Sequence, residues 1–151
     1  HESKLIRSAI EFNDLDADQI LTSRVDMISI PKETTMEDVR KVFKENKFSR
    51  IPVYENNIDN IIGVIHEKDF YDALDEKKEN IDSIIKPILY VTSNTKISEL
   101  LKKFQYIKNH MAVVIDEFGG TMGIITLEDV LEELVGEIWD EHDEVVEYFR
   151  N

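Results

Sequence analysis

The feature that most constrains this chain is an internal repeat with a spacing of about sixty residues. Residues 63–70 read Gly-Val-Ile-His-Glu-Lys-Asp-Phe, and residues 123–130 read Gly-Ile-Ile-Thr-Leu-Glu-Asp-Val. Upstream, Arg-Ile-Pro-Val-Tyr at residues 50–54 of the first copy corresponds to His-Met-Ala-Val-Val at residues 110–114 of the second. A repeat of this length indicates one structural unit built twice, and two such units generally pack against each other. The cleft between them is a natural ligand site.

Each copy predicts the order strand, helix, strand, strand, helix, and therefore a mixed α/β fold. In the first copy we expect strands at 27–30, 51–54 and 61–65, a helix capped by Thr35, and a helix at 67–74. In the second copy we expect strands at 89–91, 111–115 and 122–125, a helix carrying Ile97 to Phe104, a hairpin turn at 116–120 and a last helix after Thr126.

Three packing expectations follow from these elements. Pro52 suggests an end or edge position for its strand, because proline cannot donate to a ladder. The strands are apolar at nearly every residue, so both faces of each sheet should be covered, and the two copies should bury their sheets together. The last helix is expected to bury its apolar positions, which are Leu127, Val130, Leu131, Leu134, Val135 and Ile138.

The same pattern divides the chain. Residues 1–19 predict an N-terminal helix, over 2–12, and a linker. The first repeat runs over 20–76 and the second over 83–139, with a charged linker between them. Residues 140–151 form an acidic tail.

Composition excludes several classes of function. The chain has 151 residues and a net charge of −14, from 18 basic and 32 acidic residues, which argues against binding to nucleic acid or anionic lipid. It contains no cysteine, so disulfides and thiolate chemistry are excluded. With 42% hydrophobic residues it can form a packed core, but no apolar run approaches the length of a membrane span.

The acidic residues concentrate between Glu128 and Glu147, where no Lys or Arg interrupts them. Such a run is typical of a solvated helix face that continues into an acidic tail. Carboxylates also bind divalent cations, so direct Mg²⁺ sensing is the second interpretation of this segment.

The repeat resembles a pair of CBS domains, the tandem nucleotide-sensing module. Residues 116–138, Asp-Glu-Phe-Gly-Gly-Thr-Met-Gly-Ile-Ile-Thr-Leu-Glu-Asp-Val-Leu-Glu-Glu-Leu-Val-Gly-Glu-Ile, resemble the signature of the CorC/HlyC family of hemolysin-like membrane proteins linked to magnesium and cobalt transport. Residues 20–27 resemble that family's lead into the first copy. They depart from its usual Met-Thr-Pro-Arg run, because Leu21 and Ser23 replace the Met and the Pro.

The resemblance implies a regulatory module rather than an enzyme. Family members carry a membrane domain and a further C-terminal domain, so we expect this chain to be a cytoplasmic piece of a larger membrane protein. The implied ligand is an adenine nucleotide, ATP or AMP, with or without Mg²⁺, and the implied assembly is a homodimer through the closing helices. No Walker loop, nucleophile elbow or histidine pair at metal spacing appears, so catalysis and a metal site are not expected.

Thr126 and Asp129 have two interpretations. As Thr-x-x-Asp after an apolar strand, they predict a capping box at the start of the last helix. The resemblance implies that the same pair binds the ribose of a nucleotide. His66 and Asp69 are the equivalents in the first copy, where the histidine replaces the hydroxyl residue and is otherwise a helix-start residue.

The resemblance also implies the remaining site residues. The site around Asp129 would use Thr22, Met27, Phe48, Ser49, His110 and Thr126. A second, weaker site around Asp69 would use Arg50, His66, Lys86, Val91 and Met111. The cations beside the clefts would be Arg24, Arg50 and Lys86, each of which is otherwise a surface charge. A ligand-free dimerisation module remains the alternative function.

Overall fold

The computed structural model describes residues 15–136, and its elements follow the predicted order in both repeats. The strands are β1 (Thr22–Ser23), β2 (Ile30–Pro31), β3 (Arg50–Tyr54), β4 (Ile61–His66), β5 (Leu89–Thr92), β6 (Met111–Ile115) and β7 (Thr121–Thr126). The helices are α1 (Met36–Glu45), α2 (Glu67–Asp75), α3 (Ile97–Tyr106) and α4, which is helical over 127–136. None of the described helices is long and apolar enough to cross a bilayer.

Some predictions lie outside the described residues. They are the helix at 2–12, the continuation of the last helix beyond 136, and the acidic tail at 140–151.

The strands form two sheets, one for each repeat. The first sheet has the order β2-β3-β4 and the second the order β1-β7-β6-β5. In each repeat an antiparallel hairpin, β3–β4 or β6–β7, is joined by a parallel strand, β2 or β5. The mixed α/β fold and the doubled unit are therefore confirmed.

The strand predicted at 27–30 is wrong over most of its length, because only Ile30–Pro31 pair as β2. Residues 22–23, for which no strand was predicted, pair with β7 instead. The proline inference is also wrong for the strand as a whole, since β3 is the central strand of its sheet. Pro52 is tolerated there because β2 reaches only Val53 and Tyr54, so the strand has a single neighbour at Pro52.

The core has three layers. One apolar cluster packs α1 and α2 against the first sheet, and another packs α3 and α4 against the second. Between the sheets lies a shared cluster that contains Val64 of the first repeat and Met111 and Val113 of the second. Along β6, Met111 and Val113 face this shared layer while Ala112 and Val114 face the helices. This alternation buries both faces of the strand.

Each sheet is extended by the segment that leads into the other repeat. Thr22 lies opposite Ile124 in β7, and Lys86 forms an antiparallel bridge with Val64 in β4. In each case the crossing passes over a glycine, Gly123 or Gly63. A Cβ on Gly63 would lie 2.5 Å from the carbonyl oxygen of Lys86, and one on Gly123 would overlap the carbonyl oxygen of Thr22. Glycine is therefore required at both crossings.

Two predictions about helix ends and faces have different outcomes. Thr35 caps α1 as expected, since its hydroxyl accepts the N–H of Asp38 at 3.2 Å. The prediction that α4 buries all its apolar residues is wrong: Val130 is buried, but Leu131 is 41% and Val135 58% exposed. The outer stripe of α4 has no neighbouring element to cover it in the described part of the chain.

The loops of the two hairpins meet at Asp59. Its Oδ1 accepts the N–H of Thr121 at 3.0 Å and a guanidinium N–H of Arg24 at 2.7 Å. The hydrogen bond from the Thr121 backbone, together with that from Arg24, holds the pKa of Asp59 below its ordinary value. We call Arg24, Ile58, Asp59 and Thr121 the hairpin junction.

The glycine crossing predicts a specific sensitivity. Gly123→Ala forces a Cβ against backbone that lacks room to shift, so we expect it to lower the free energy of unfolding by about 1–3 kcal/mol. Gly136→Ala is the matched control, because nothing lies within 4 Å of its added Cβ. Urea unfolding of both variants checks this, and equal stability of the two would contradict the close crossing.

The lowered pKa of Asp59 predicts a pH dependence. Its contribution to stability is complete above about pH 4 and is lost as pH falls through the lower folded-state pKa. Asp59→Asn removes this titration, so on acidification from about pH 5 to about pH 3 the variant should lose less stability than the parent chain. Urea unfolding at a series of pH values measures the difference, and parallel curves would count against the ion pair.

Candidate functional site

A cavity of about 360 Å³ opens between the repeats, at the end of β7 opposite the hairpin junction. Its wall combines four parts of the chain: the segment leading into the first repeat, residues 47–52 at the start of β3, the paired strands β6 and β7, and the start of α4. The lining residues are Thr22, Asp26, Met27, Ile28, Lys47, Phe48, Ser49, Arg50, Pro52, Met111, Ile124, Thr126, Glu128 and Asp129.

The start of α4 is a reciprocal capping box, as the sequence predicts. The N–H of Asp129 donates to the hydroxyl of Thr126 at 3.1 Å, and the N–H of Thr126 donates to Asp129 Oδ2 at 3.0 Å. No hydrogen bond to Asp129 Oδ1 is formed within residues 15–136. The cap therefore leaves one carboxylate oxygen on the cavity wall available to a ligand.

An ion pair joins the repeats at the cavity. Arg50 Nη1, on β3, lies 2.8 Å from Glu128 Oε2, on α4. Partial burial by itself would raise the pKa of Glu128, but the hydrogen bond and positive charge of Arg50 outweigh it and hold this pKa below its ordinary value. The Arg50 Nε–H is buried and has no acceptor among the described residues.

The rest of the wall is largely apolar. Met27 and Met111 are buried, whereas Phe48 is 47% exposed at the rim. Flexible thioethers and an exposed aromatic ring suit a flat apolar ligand group better than an extended polar one. The cavity can therefore take a ligand with one flat apolar part and one polar, anionic part.

The structure brings together most residues assigned to the first site. Thr22, Met27, Phe48, Ser49, Thr126 and Asp129 all line the cavity. Within the described residues, His110 does not line it. The ring of His110 packs edge to face on Phe104 at 6.2 Å, and its carbonyl accepts the N–H of Leu127.

The residues assigned to the second site do not share one cavity. Arg50 and Met111 line the first cavity, and Val91 lies in the core under α3 and α4. Asp69 and Lys86 pair at 2.9 Å on a separate hollow of about 300 Å³ beside α2.

His66 starts α2 but forms no side-chain cap there. Its Nε2 lies 2.6 Å from Asn109 Oδ1, and the amide of Asn109 donates to the carbonyl of Pro87 at 2.6 Å. The first repeat thus engages the equivalents of Thr126 and Asp129 with its own neighbours. Ligand binding at either place stays a prediction.

The cation candidates separate in the same way. Arg24 belongs to the hairpin junction, and Lys86 pairs with Asp69, so of these three only Arg50 lines the cavity. Lys47 and Glu128 line it without having been predicted. The sequence indication for them is that each is next to a predicted site residue, since Lys47 precedes Phe48 and Glu128 precedes Asp129.

Comparison with known proteins agrees with this architecture. The sequence matches the CBS domain family over residues 17–76 and again over 80–136. Hemolysin C of Brachyspira hyodysenteriae is 41% identical over 143 residues, which cover 95% of this chain and 53% of that protein. The chain therefore spans about half the length of this relative.

Solved structures show the same fold. The CBS domain of a bacterial CNNM/CorC family Mg²⁺ transporter in complex with ATP has a TM-score of 0.81 and 42% identity, covering 89% of this chain and 97% of that one. A CBS-domain pair with bound AMP from Klebsiella pneumoniae has a TM-score of 0.68 and 28% identity, covering 80% of this chain and 98% of that one.

The capping box makes a prediction that does not involve a ligand. Thr126→Ala removes the hydroxyl that accepts the Asp129 N–H, so we expect the ligand-free protein to lose about 1 kcal/mol of unfolding free energy. His66→Ala is the comparison at the equivalent position of α2, where the side chain does not cap the helix and instead contacts Asn109. Urea unfolding measures the stability of both variants. A Thr126→Ala variant as stable as the parent would show that this capping hydrogen bond does not stabilise the protein.

Proposed function

This chain belongs to the CBS domain family, as a tandem pair of the kind found in CorC and hemolysin C-type proteins, and from this premise we propose that its cavity binds an adenine nucleotide. The module is a regulatory one with no catalytic role. The observation that carries the proposal is the meeting of Asp129, the apolar wall and Arg50 around a single cavity between the repeats.

Each part of an adenine nucleotide has a matching group. The apolar wall, with Met27 and Met111, accepts the base, and Phe48 at the rim offers a ring for stacking. The available oxygen of Asp129 accepts a ribose hydroxyl. Arg50, which lines the cavity, supplies a guanidinium for a charge-assisted hydrogen bond to phosphate. The ATP and AMP complexes of similar CBS domains support this assignment.

The charge of the wall bears on which nucleotide binds. Two basic side chains, Lys47 and Arg50, stand against the acidic Asp26, Glu128 and Asp129. A triphosphate brings more negative charge than these cations offset, so ATP would bind with Mg²⁺, whereas AMP needs no added cation. Among the described residues no cluster suited to holding a metal ion occurs, so direct Mg²⁺ sensing would depend on the acidic segment beyond residue 136.

The contacts made by the residues of the second site favour one nucleotide per chain. Asp69 and His66 are engaged by Lys86 and Asn109, so a ligand at the second site has to displace these contacts. We therefore propose that the site around Asp69 is weaker or empty.

The regulatory role follows from the composition of the cavity wall. A nucleotide there contacts residues 22–28 and the start of β3 in the first repeat together with the start of α4 in the second, and so favours one arrangement of the two repeats. We propose that this preference is coupled to an attached transporter on the cytoplasmic face of the membrane, because similar structures are described as parts of Mg²⁺ transporters.

A second candidate function is dimerisation without a ligand. It is favoured by the exposed stripe of α4, where Leu131 and Val135 lie one turn apart and face no neighbour in the described part of the chain. A second copy of the chain would cover this stripe, and the two functions are compatible.

Nucleotide binding predicts a rise in melting temperature. At a ligand concentration of about 100 times Kd, ATP with Mg²⁺ or AMP should stabilise the fold by about 2.7 kcal/mol. Phe48→Ala should weaken binding about tenfold by removing the rim ring. Thermal melts with ATP, ADP and AMP, with and without Mg²⁺, together with isothermal titration calorimetry, measure both effects.

The control is Asp69→Ala, which removes the equivalent carboxylate outside the cavity and should leave the tight site unchanged. A rise in melting temperature with Mg²⁺ alone would instead support direct Mg²⁺ sensing by the acidic segment. No shift with any nucleotide, alongside a dimer that Leu131→Asp dissociates in sedimentation, would leave the ligand-free dimerisation module.

A further inference from the structure

The hairpin junction lies at the opposite end of β7 from the cavity, yet it holds the same segment that lines the cavity. β7 begins at Thr121, in the junction, and ends at Thr126, on the cavity wall. The leading segment, residues 20–28, contributes Thr22, Asp26, Met27 and Ile28 to that wall. Arg24 stands between these lining residues and points its guanidinium into the junction.

Backbone pairing holds the leading segment to β7 over only a short length. β1 is only two residues long, with Thr22 opposite Ile124 and Ser23 opposite Gly123, and one further backbone bond joins the Arg24 N–H to the Met122 carbonyl at 2.9 Å. Val25 and Asp26 are exposed, and their backbone N–H groups are satisfied by Ser23. Two side chains add to this short pairing: Met27, which is buried in the layer between the sheets, and Arg24.

The Arg24 side chain is the polar anchor of the leading segment. Its Nη1 donates to Asp59 Oδ1 at 2.7 Å and to the Thr121 carbonyl at 3.1 Å. Asp59 Oδ1 also accepts the Thr121 N–H, and the buried Thr121 hydroxyl donates to the Ile58 carbonyl at 2.8 Å. One carboxylate oxygen therefore ties the leading segment to the hairpins of both repeats.

We propose that Asp59 is a positioning residue for the cavity. Through Arg24 it holds the leading segment against β7, and so keeps the lining residues of that segment in place on the cavity wall. The effect on nucleotide affinity rests on the proposed function, whereas the effect on the leading segment does not. Asp59 does not line the cavity, so it acts on a ligand only through the segment it holds.

The chain offers a matched control on the same hairpin. Glu55 pairs with Lys32 at 3.5 Å, and the two side chains are each 42% exposed, close to the 40% and 48% of Arg24 and Asp59. Lys32 follows β2 and lies outside the leading segment. Glu55→Ala therefore removes a comparable ion pair without involving that segment.

The first experiment uses the ligand-free protein. Amide hydrogen exchange of Arg24, Asp26 and Met27 should become faster in Asp59→Ala and in Arg24→Gln but stay at the parent rate in Glu55→Ala. Asp59→Asn keeps an acceptor oxygen and should fall between. Unchanged exchange in both Asp59→Ala and Arg24→Gln would overturn the proposal, whether or not any nucleotide binds.

The second experiment measures the affinity for ATP with Mg²⁺ by calorimetry, well below the melting temperature. Asp59→Ala should weaken binding about 3- to 30-fold, with no further loss when Arg24→Gln is added, because both act through one contact. Glu55→Ala should bind like the parent. Parent-like affinity in Asp59→Ala would overturn the positioning role, while absence of binding by the parent chain would refute the proposed function and leave the exchange result to decide the role of Asp59.

Discussion

The structure depends on an exchange of edge segments across two glycines. Neither repeat completes its own sheet: β7 is extended by residues that lead into the first repeat, and β4 by residues that lead into the second. The crossings pass over Gly123 and Gly63 so closely that a methyl group would overlap the crossing backbone. Each unit therefore relies on the other for backbone pairing as well as for the apolar layer between the sheets.

This exchange also explains where the cavity lies and why it contains parts of the whole chain. The segment over Gly123 continues directly into Asp26 and Met27, so the same crossing that completes the second sheet places a wall beside the start of α4. The Arg50–Glu128 pair then joins the two repeats across the opening. A ligand in this cavity contacts the joint between the repeats, which is the place where binding energy can change their relation.

The two repeats share one backbone arrangement but differ in the side-chain contacts at the start of the closing helix. At the start of α4, Thr126 and Asp129 cap each other and leave an oxygen available, whereas at the start of α2 the equivalent His66 and Asp69 turn to Asn109 and Lys86. The apolar residues that set the fold are shared between the copies. The polar residues at the helix starts differ, and they make the clefts unequal.

Much of the fold was predictable from the sequence, because the repeat, the strand runs and the helix caps are local signals. The order of elements, the Thr35 cap, the turn at 116–120 and the capping box all follow from residues close together in the chain. The resemblance of residues 116–138 pointed to the family, and six residues it assigned to the first site line one cavity. The pairing of β1, the exposure of Leu131 and the position of Pro52 in a central strand depend on distant neighbours and were not predicted.

By itself, the sequence determined that one strand–helix–strand–strand–helix unit is built twice, with glycines and apolar runs in matching places. Only the tertiary structure decided that Arg50 faces Glu128 instead of a second site, that Lys86 pairs with Asp69, and that Arg24 is held by Asp59. The physical reason is that local propensity and periodicity act within a few residues. The partner of a charged side chain is instead set by which distant segments the packed sheets bring within hydrogen-bond distance.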